Sequence, residues 1–339
     1  MFKPKVAIII PCKNEVMYIS KCLSSVILSD YPEKLKSIFV CDGLSNDGTL
    51  RIINDFITKY PFIKLLENKM ETTPYALNLG IQNSDADIFI ILGAHSEIST
   101  DYIIRCVEAF EFDYDIGCVG GIIENVYENE VSEIIGKSMS SMFGVGNAYF
   151  RTGGKNGFVD TVAFGAYKRK VFDKAGYFDT DLTRNQDDEF NYRIIKAGFK
   201  IYLSNNIHSK YYVRGSYSKL FNQYFQYGYW KVCVNLKYKT ITTVRQLAPF
   251  LLVCYIIIGL FISFISLKLL RIYLLGIVLY LVLVIAFSIF TSRKLKHILG
   301  VAYAFLILHI SYGFGYLTAL INTFIFKKKI RKKFDSLTR

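Results

Sequence analysis

Acidic side chains all but disappear from the C-terminal part of this 339-residue chain. Residues 208–339 carry 19 Lys/Arg against one acid, Asp335, a net of +18. Residues 1–207 carry 22 Lys/Arg and 27 Asp/Glu, a net of −5. At ~100–200 residues per soluble domain, the length leaves room for one domain and something else. The asymmetry points to nucleic acid or to an anionic membrane surface. Paired cysteine motifs are also missing. The 7 cysteines are odd in number and include no CxxC, so they read as small buried hydrophobes in a reducing compartment. No GxGxxG follows the first apolar run and no GxxxxGK motif occurs, which argues against dinucleotide and P-loop sites. Met1–Pro11 holds too short an apolar run for a signal peptide, so the N-terminal part is expected in the cytoplasm. Internal repeats and low-complexity tracts are absent. A disordered chain is excluded by a hydrophobic content of 52% and a mean hydropathy of +0.28.

What is present in the basic part is long apolar sequence. Leu247–Leu267, Ile272–Phe290 and Ile298–Phe326 are nearly uncharged. A membrane-spanning helix needs about 20 such residues, and helices of a soluble core would keep polar outer faces that these lack. The basic residues flank the stretches (Arg293, Lys294, Lys296; Lys327 to Lys333), which favours membrane lipid as partner and no nucleic acid. Three crossings would place Lys327–Lys333 outside, against the positive-inside tendency. An even number follows if one stretch lies in the interface, or if the third breaks near Gly313–Gly315.

The acidic part alternates strand and helix patterns. Strands are expected at Val6–Ile10, Ser37–Cys41, Phe62–Leu66, Ile88–Leu92 and Ile116–Gly121. Helices are expected at Tyr18–Leu28, from Thr49 to Tyr60, at Pro74–Ile81 and at Asp101–Phe110, with Thr100 as a cap. Such alternation means an α/β domain with a mainly parallel sheet, whose ligands bind beyond the carboxyl ends of the strands. The candidate site is therefore Pro11–Glu15, Cys41–Asp47, Asn68–Thr73 and Gly93–Glu97. A carboxylate there can accept from a base N–H or a ribose hydroxyl. Asp47 is well placed to cap the next helix, which leaves Asp42 for the ligand. From Glu130 to Ser216 the pattern loosens, with a flexible Gly153–Gly157 loop. Arg184–Ala197 reads as a loop entering a helix that starts with acids. Tyr217–Tyr238 has aromatics and lysines but no acid, which suits either a helix lying on a membrane surface or an ordinary domain helix.

The runs PCKNE (Pro11–Glu15), VCDGLSNDGT (Val40–Thr49) and ALNLGI (Ala76–Ile81) resemble the inverting family 2 glycosyltransferases of GT-A fold. FVDTVAFGAY (Phe158–Tyr167) and RNQDDEFNYRIIKAG (Arg184–Gly198) resemble the succinoglycan and exopolysaccharide type. The resemblance covers about residues 4–235 and implies residue roles. Pro11, Asn14, Glu15 and Asp42 match nucleotide-holding positions, and Asn78 a donor-side asparagine. The family's DxD falls on Gly93-Ala94-His95. His95 can serve as the metal ligand, for Mg2+ or Mn2+, or be a plain loop histidine; Gly93 lacks the first carboxylate. Glu97 offers partial compensation or is a solvated acid. In Asp187-Asp188-Glu189, Asp187 takes the place of the catalytic base and Asp188 is the alternative, while Gln186 replaces the family's Glu. Three adjacent acids repel one another, raising at least one pKa. The same cluster also suits the start of a helix. His208 stands where some relatives have a further metal ligand. Gln226 and Trp230 keep the spacing of the QxxRW motif, but Tyr229 replaces its Arg, leaving acceptor binding and membrane anchoring both open.

The resulting expectation is a GT-A domain at 1–215, an amphipathic interfacial region at 216–246, transmembrane helices within 247–326 and a basic tail at 327–339. The donor would be a nucleotide-diphosphate sugar and the acceptor a polyprenyl-diphosphate-linked glycan. The enzyme would be a multi-pass protein of the cell (inner) membrane with a cytoplasmic catalytic domain.

Overall fold

The fold was examined in a computed structural model, which describes residues 3–327. The basic tail beyond Lys327 lies outside the described residues. The chain packs as two units. The first comprises the residues up to Val126 and Ala148–Tyr212; the second comprises Tyr127–Asn147 and the chain from Val213.

The first unit is built on a 9-stranded sheet. Its strands are β1 (Val6–Cys12), β2 (Lys36–Asp42), β3 (Ile63–Glu67), β4 (Ile88–Ile91), β5 (Ser96–Ile98), β6 (Ile116–Val126), β7 (Gly157–Val159), β8 (Ala163–Lys168) and β9 (Lys200–Tyr212). The order is β3-β2-β1-β4-β8-β6-β9-β5, with β7 also on β9. The expected strands are all present, and β1 to β4 run parallel as anticipated. The sheet as a whole is mixed, not mainly parallel. β8 is antiparallel to both β4 and β6, while β5 and β7 are antiparallel to β9. β8 follows β7 directly in the chain and runs against both of its neighbours in the sheet.

Burial on both faces follows from alternation along the strands. Ile8 and Ile10 of β1 face one core with Ile19, Leu23, Val26, Ile53 and Tyr102 from three helices. Ala7 and Ile9 face the other, with Ala76, Leu77, Phe172, Phe178 and Phe190. The longer helices are Ile19–Ile27, Thr49–Lys59, Thr73–Gln82, Tyr102–Ala109 and Gln186–Lys196, with shorter ones at Tyr149–Thr152 and Arg169–Ala175. Thr100 does not cap the fourth: Asp101 occupies that place, and its carboxylate takes the Ser99 hydroxyl at 2.8 Å. All 7 cysteines are free thiols, and the 5 in this unit are buried. Burial pushes the Cys41 thiol up to about 12. These thiols are inert packing groups, as the sequence suggested.

The second unit is helical. Glu130–Met139 is a helix that the sequence reading left undefined. Asn129 Oδ1 accepts the Ser132 N–H at 2.8 Å and Ser132 Oγ accepts the Asn129 N–H at 2.9 Å, a reciprocal cap. Tyr217–Tyr238 is one helix, as expected, with Lys219 and Lys237 exposed. Lys231 is fully buried, its Nζ donating to Thr243 Oγ1 at 3.2 Å. Three helices, Val244–Ser263, Leu267–Thr291 and Leu295–Ile325, are long and apolar enough to span a membrane. The third does not break at Gly313–Gly315. Those glycines instead admit neighbouring backbones: a Cβ on Gly315 would sit 2.0 Å from Phe225 O, and one on Gly313 2.3 Å from Pro249 O. Reciprocally, a Cβ on Gly228 would sit 2.0 Å from Tyr312 O. Helix contact through small residues is how apolar helices associate where water supplies no driving force.

Candidate active site at the carboxyl ends of the strands

The loops after β1 and β2 lock together. Asn14 sits in the left-handed region (φ 54°), a conformation asparagine tolerates. Its N–H donates to Ser45 Oγ at 2.8 Å, and its Oδ1 accepts the Asn46 N–H at 2.9 Å. Ser45 closes on Asp42, donating from N to Oδ2 at 2.9 Å and from Oγ to Oδ1 at 2.5 Å. Asp42 is only 3% exposed. Its carboxylate keeps acceptor capacity beyond these two bonds, because an ionised carboxylate accepts at about four lone-pair positions. Pro11, next to last in β1, stands opposite Cys41, and Gly43 N–H reaches back to Cys12 O at 2.8 Å. Asp47 takes the Thr49 N–H at 3.0 Å and the Val16 N–H at 3.2 Å, but the N-cap of the helix is Gly48, in the left-handed region, and not Asp47 as anticipated. The Asp47 carboxyl is raised by burial but lowered further by these hydrogen bonds, and it ends below the usual carboxylate range.

Glu15 is buried, its N–H donates to Thr49 Oγ1 at 2.9 Å, and its Oε1 lies 3.1 Å from His95 Nδ1. With Nδ1–H given to Glu15, Nε2 of His95 carries the lone pair, which is how carboxylates orient metal-ligating histidines. Tyr211, paired with Ser96 across β9 and β5, packs edge-on to the His95 ring at 5.3 Å. Gly93 leaves no room to spare. A Cβ there would meet Ser96 Oγ at 3.1 Å and the Phe164 ring at 3.4 Å. Phe164 itself is held at φ 48°, a strained conformation for an aromatic residue. Among the described residues, no group of three or more His, Cys, Asp or Glu could hold a metal unaided. His208 is not brought to His95: its Nδ1 lies 3.1 Å from Glu124 Oε1. A divalent ion here would draw on His95 and on substrate oxygens, a mode that suits ions bound chiefly through phosphates.

The acidic run opens the helix Gln186–Lys196. Asp187 is exposed, and its Oδ1 accepts the Asp188 N–H at 2.9 Å. The third acid is not part of a repelling trio. Glu189 is fully buried and bonded by Arg193 Nε at 2.9 Å and Nη2 at 2.8 Å. Arg193 also donates to Ala175 O and, at 2.8 Å, to Tyr177 O. This pair therefore fixes the helix to the preceding loop. Gln186 Oε1 is buried without a hydrogen-bond partner, an acceptor atom beside Asp187. Asn78 acts at a distance. Its Nδ2 donates to Phe178 O at 2.8 Å and its Oδ1 accepts the Phe178 N–H at 2.9 Å. Both polar ends of its amide thus hold the backbone of one residue. Phe178 in turn packs on Phe190 at 4.4 Å, under the acidic turn.

Gln226 and Trp230 belong to the helical unit, where they are 5% and 3% exposed. Sequence reasoning missed Ser45, Tyr211 and the Glu189–Arg193 pair. Arg193 lies four residues after Glu189, an ion-pair spacing the sequence does show.

Comparison with known proteins agrees with this arrangement. A match to Glycosyl transferase family 2 spans residues 7–176, half of the chain. A dolichyl N-acetyl-alpha-D-glucosaminyl phosphate 3-beta-D-2,3-diacetamido-2,3-dideoxy-beta-D-glucuronosyltransferase of Methanococcus voltae is 38% identical over 231 residues, covering 66% of this chain and 71% of the relative. The succinoglycan biosynthesis protein ExoA of Rhizobium meliloti is 28% identical over 245 residues, 71% of this chain and 73% of that protein. Among solved structures, the mannosyltransferase PcManGT of Pyrobaculum calidifontis, in complex with GDP-Man and Mn2+, superposes with a TM-score of 0.65. It covers 94% of this chain and 88% of its own at 17% identity, a likeness of fold. The strand-end loops, the GT-A-like sheet and these matches place the chain in glycosyltransferase family 2.

Proposed function

We propose that this protein is a membrane-anchored inverting glycosyltransferase of extracellular polysaccharide or glycan assembly. It takes a sugar from a nucleotide-diphosphate donor, a UDP-sugar in the first instance, and adds it to a polyprenyl-diphosphate-linked acceptor. The observation that carries the reading is the buried Asp42 carboxylate at the end of β2, held by Ser45 within the Asn14–Asn46 network. Such a carboxylate can accept from a base N–H while the loops above it cradle the ribose. The relatives' names support a lipid-linked or polysaccharide acceptor. The three apolar helices support a multi-pass anchor in the cell membrane, with the α/β unit cytoplasmic.

In this reading Asp187 removes the proton from an acceptor hydroxyl, whose oxygen attacks the anomeric carbon from the face opposite the leaving diphosphate. Inversion follows from that single displacement. The buried Glu189–Arg193 pair keeps the helix that carries Asp187 from shifting. Asp188 is the alternative base. His95, oriented by Glu15, is the side chain that would hold Mg2+ or Mn2+, and such an ion supplies charge neutralisation for a departing diphosphate.

The test is transfer itself. Membranes carrying the protein are incubated with labelled nucleotide sugars and a lipid-linked acceptor. One added sugar per acceptor is the expected product. Long polymer would make the protein a processive synthase. Donor binding with no transfer would contradict the enzyme reading.

A further inference from the structure

Arg151 lies on the short helix Tyr149–Thr152, outside every motif considered so far. Its Nη1 is shielded from solvent and has no hydrogen-bond partner. The guanidinium stacks over Tyr211 at 5.1 Å and Phe150 at 5.6 Å. The Tyr211 ring is the one that abuts His95 at 5.3 Å. An always-charged, fork-shaped donor is thus fixed one ring away from His95, with donor capacity unused in a partly buried place. Leaving such a group unmatched is costly, and the stacking on Tyr211 does not satisfy its N–H bonds. The site beside it is short of charge of the other kind: position 93 has no carboxylate, and the Phe164 ring lies against the space where one would begin. Fewer acidic ligands mean less negative charge to repel an anion.

We propose that Arg151 binds a phosphoryl oxyanion of the substrate at the His95 end of the site. The proposal rests on the glycosyl-transfer reading above and deepens it. Arginine matches phosphate oxygens with two parallel N–H bonds, and here Tyr211 and Phe150 hold the plane of the fork in advance. The phosphate has two possible sources in the reaction: the diphosphate of the donor and the phosphate of the lipid-linked acceptor.

Full-length protein in detergent is compared with Arg151→Ala by calorimetry, using UDP and GDP against uridine and guanosine. A donor phosphate predicts that Arg151→Ala loses nucleoside diphosphate affinity by about ten- to a hundredfold, with nucleoside affinity unchanged. An acceptor phosphate predicts unchanged UDP and GDP affinity. It also predicts a similar loss of preference for vesicles containing polyprenyl phosphate over vesicles of phosphatidylcholine alone. Should Arg151→Ala fail to fold, Arg151→Lys carries the same comparison, since it keeps the apolar stem and loses the fork. Equal affinity of wild type and variant for diphosphates, nucleosides and both vesicles overturns the proposal alone. A wild-type protein that binds neither nucleoside nor nucleoside diphosphate overturns the nucleotide-sugar reading, and this proposal with it.

Discussion

Asn78 and Phe178 are joined by two hydrogen bonds across 100 residues of chain. Replacing Asn78 by Ala leaves the Phe178 N–H and C=O without these partners. The expected cost is about 1–3 kcal/mol, read as a lower thermal midpoint, together with a fall in turnover at unchanged nucleoside affinity. The motif ALNLGI shows that an asparagine stands there; that it grips the Phe178 backbone depends on a loop too distant for any spacing to reveal. Glu189 is similar. It reads as the third of three helix-start acids, yet it is the buried partner of Arg193. Glu189→Gln strands a guanidinium against the backbone of Ala175 and Tyr177, and about 3–5 kcal/mol of destabilisation is expected on denaturation. Residue types and positions were legible here; partners were not.

At the scale of elements, strands β1 to β4 and their helices were visible because buried parallel strands form short continuous apolar runs between turn residues. The antiparallel β8 and the helix Glu130–Met139 were not. β8 is set by where the chain re-enters the sheet, and the helix depends on partners outside itself. Its Glu133 meets Lys137 at 2.8 Å and Lys294 at 2.9 Å, and Glu130 lies 3.0 Å from Lys296 and 3.1 Å from His297. Hydrogen bonds from Lys137 first, then Lys294, hold the Glu133 carboxyl at about 2, against 4.5 for the free group. A depressed carboxyl stabilises above its unfolded pKa and loses that contribution as pH falls through the folded one. The protection of amides in residues 130–139, taken relative to the intrinsic exchange rate at each pH, should therefore be constant above pH ~4.5 and fall between ~4.5 and ~2. Protection independent of pH over that window would contradict the pairing. The glycine contacts give a second expectation. Gly228→Leu or Gly315→Leu forces apart helices whose backbones touch, and loss of the folded, detergent-extractable protein is predicted.

On the scale of the whole molecule, the charge division seen first is a division of labour between two packing units. The boundary is not the simple one expected at residue 215. Tyr127–Asn147 interrupts the α/β unit in sequence and packs with the helices, which composition could not disclose because it is short and of mixed polarity. The three apolar stretches were legible to within a few residues. Their inequality was not: 61% of the third helix's apolar window is buried by packing, against 11% for each of the other two. Its small residues and polar side chains, such as Gly313, Gly315 and Ser311, suit a helix enclosed by others.

The account turns on one carboxylate. Asp187→Asn, assayed with labelled nucleotide sugar and lipid-linked acceptor alongside donor binding by calorimetry, is its most direct test. Removing a general base typically costs about 10²–10⁴-fold in rate, so turnover should fall by that much while donor affinity stays at the wild-type value. Transfer at a rate near wild type would contradict the assignment of Asp187 as the base.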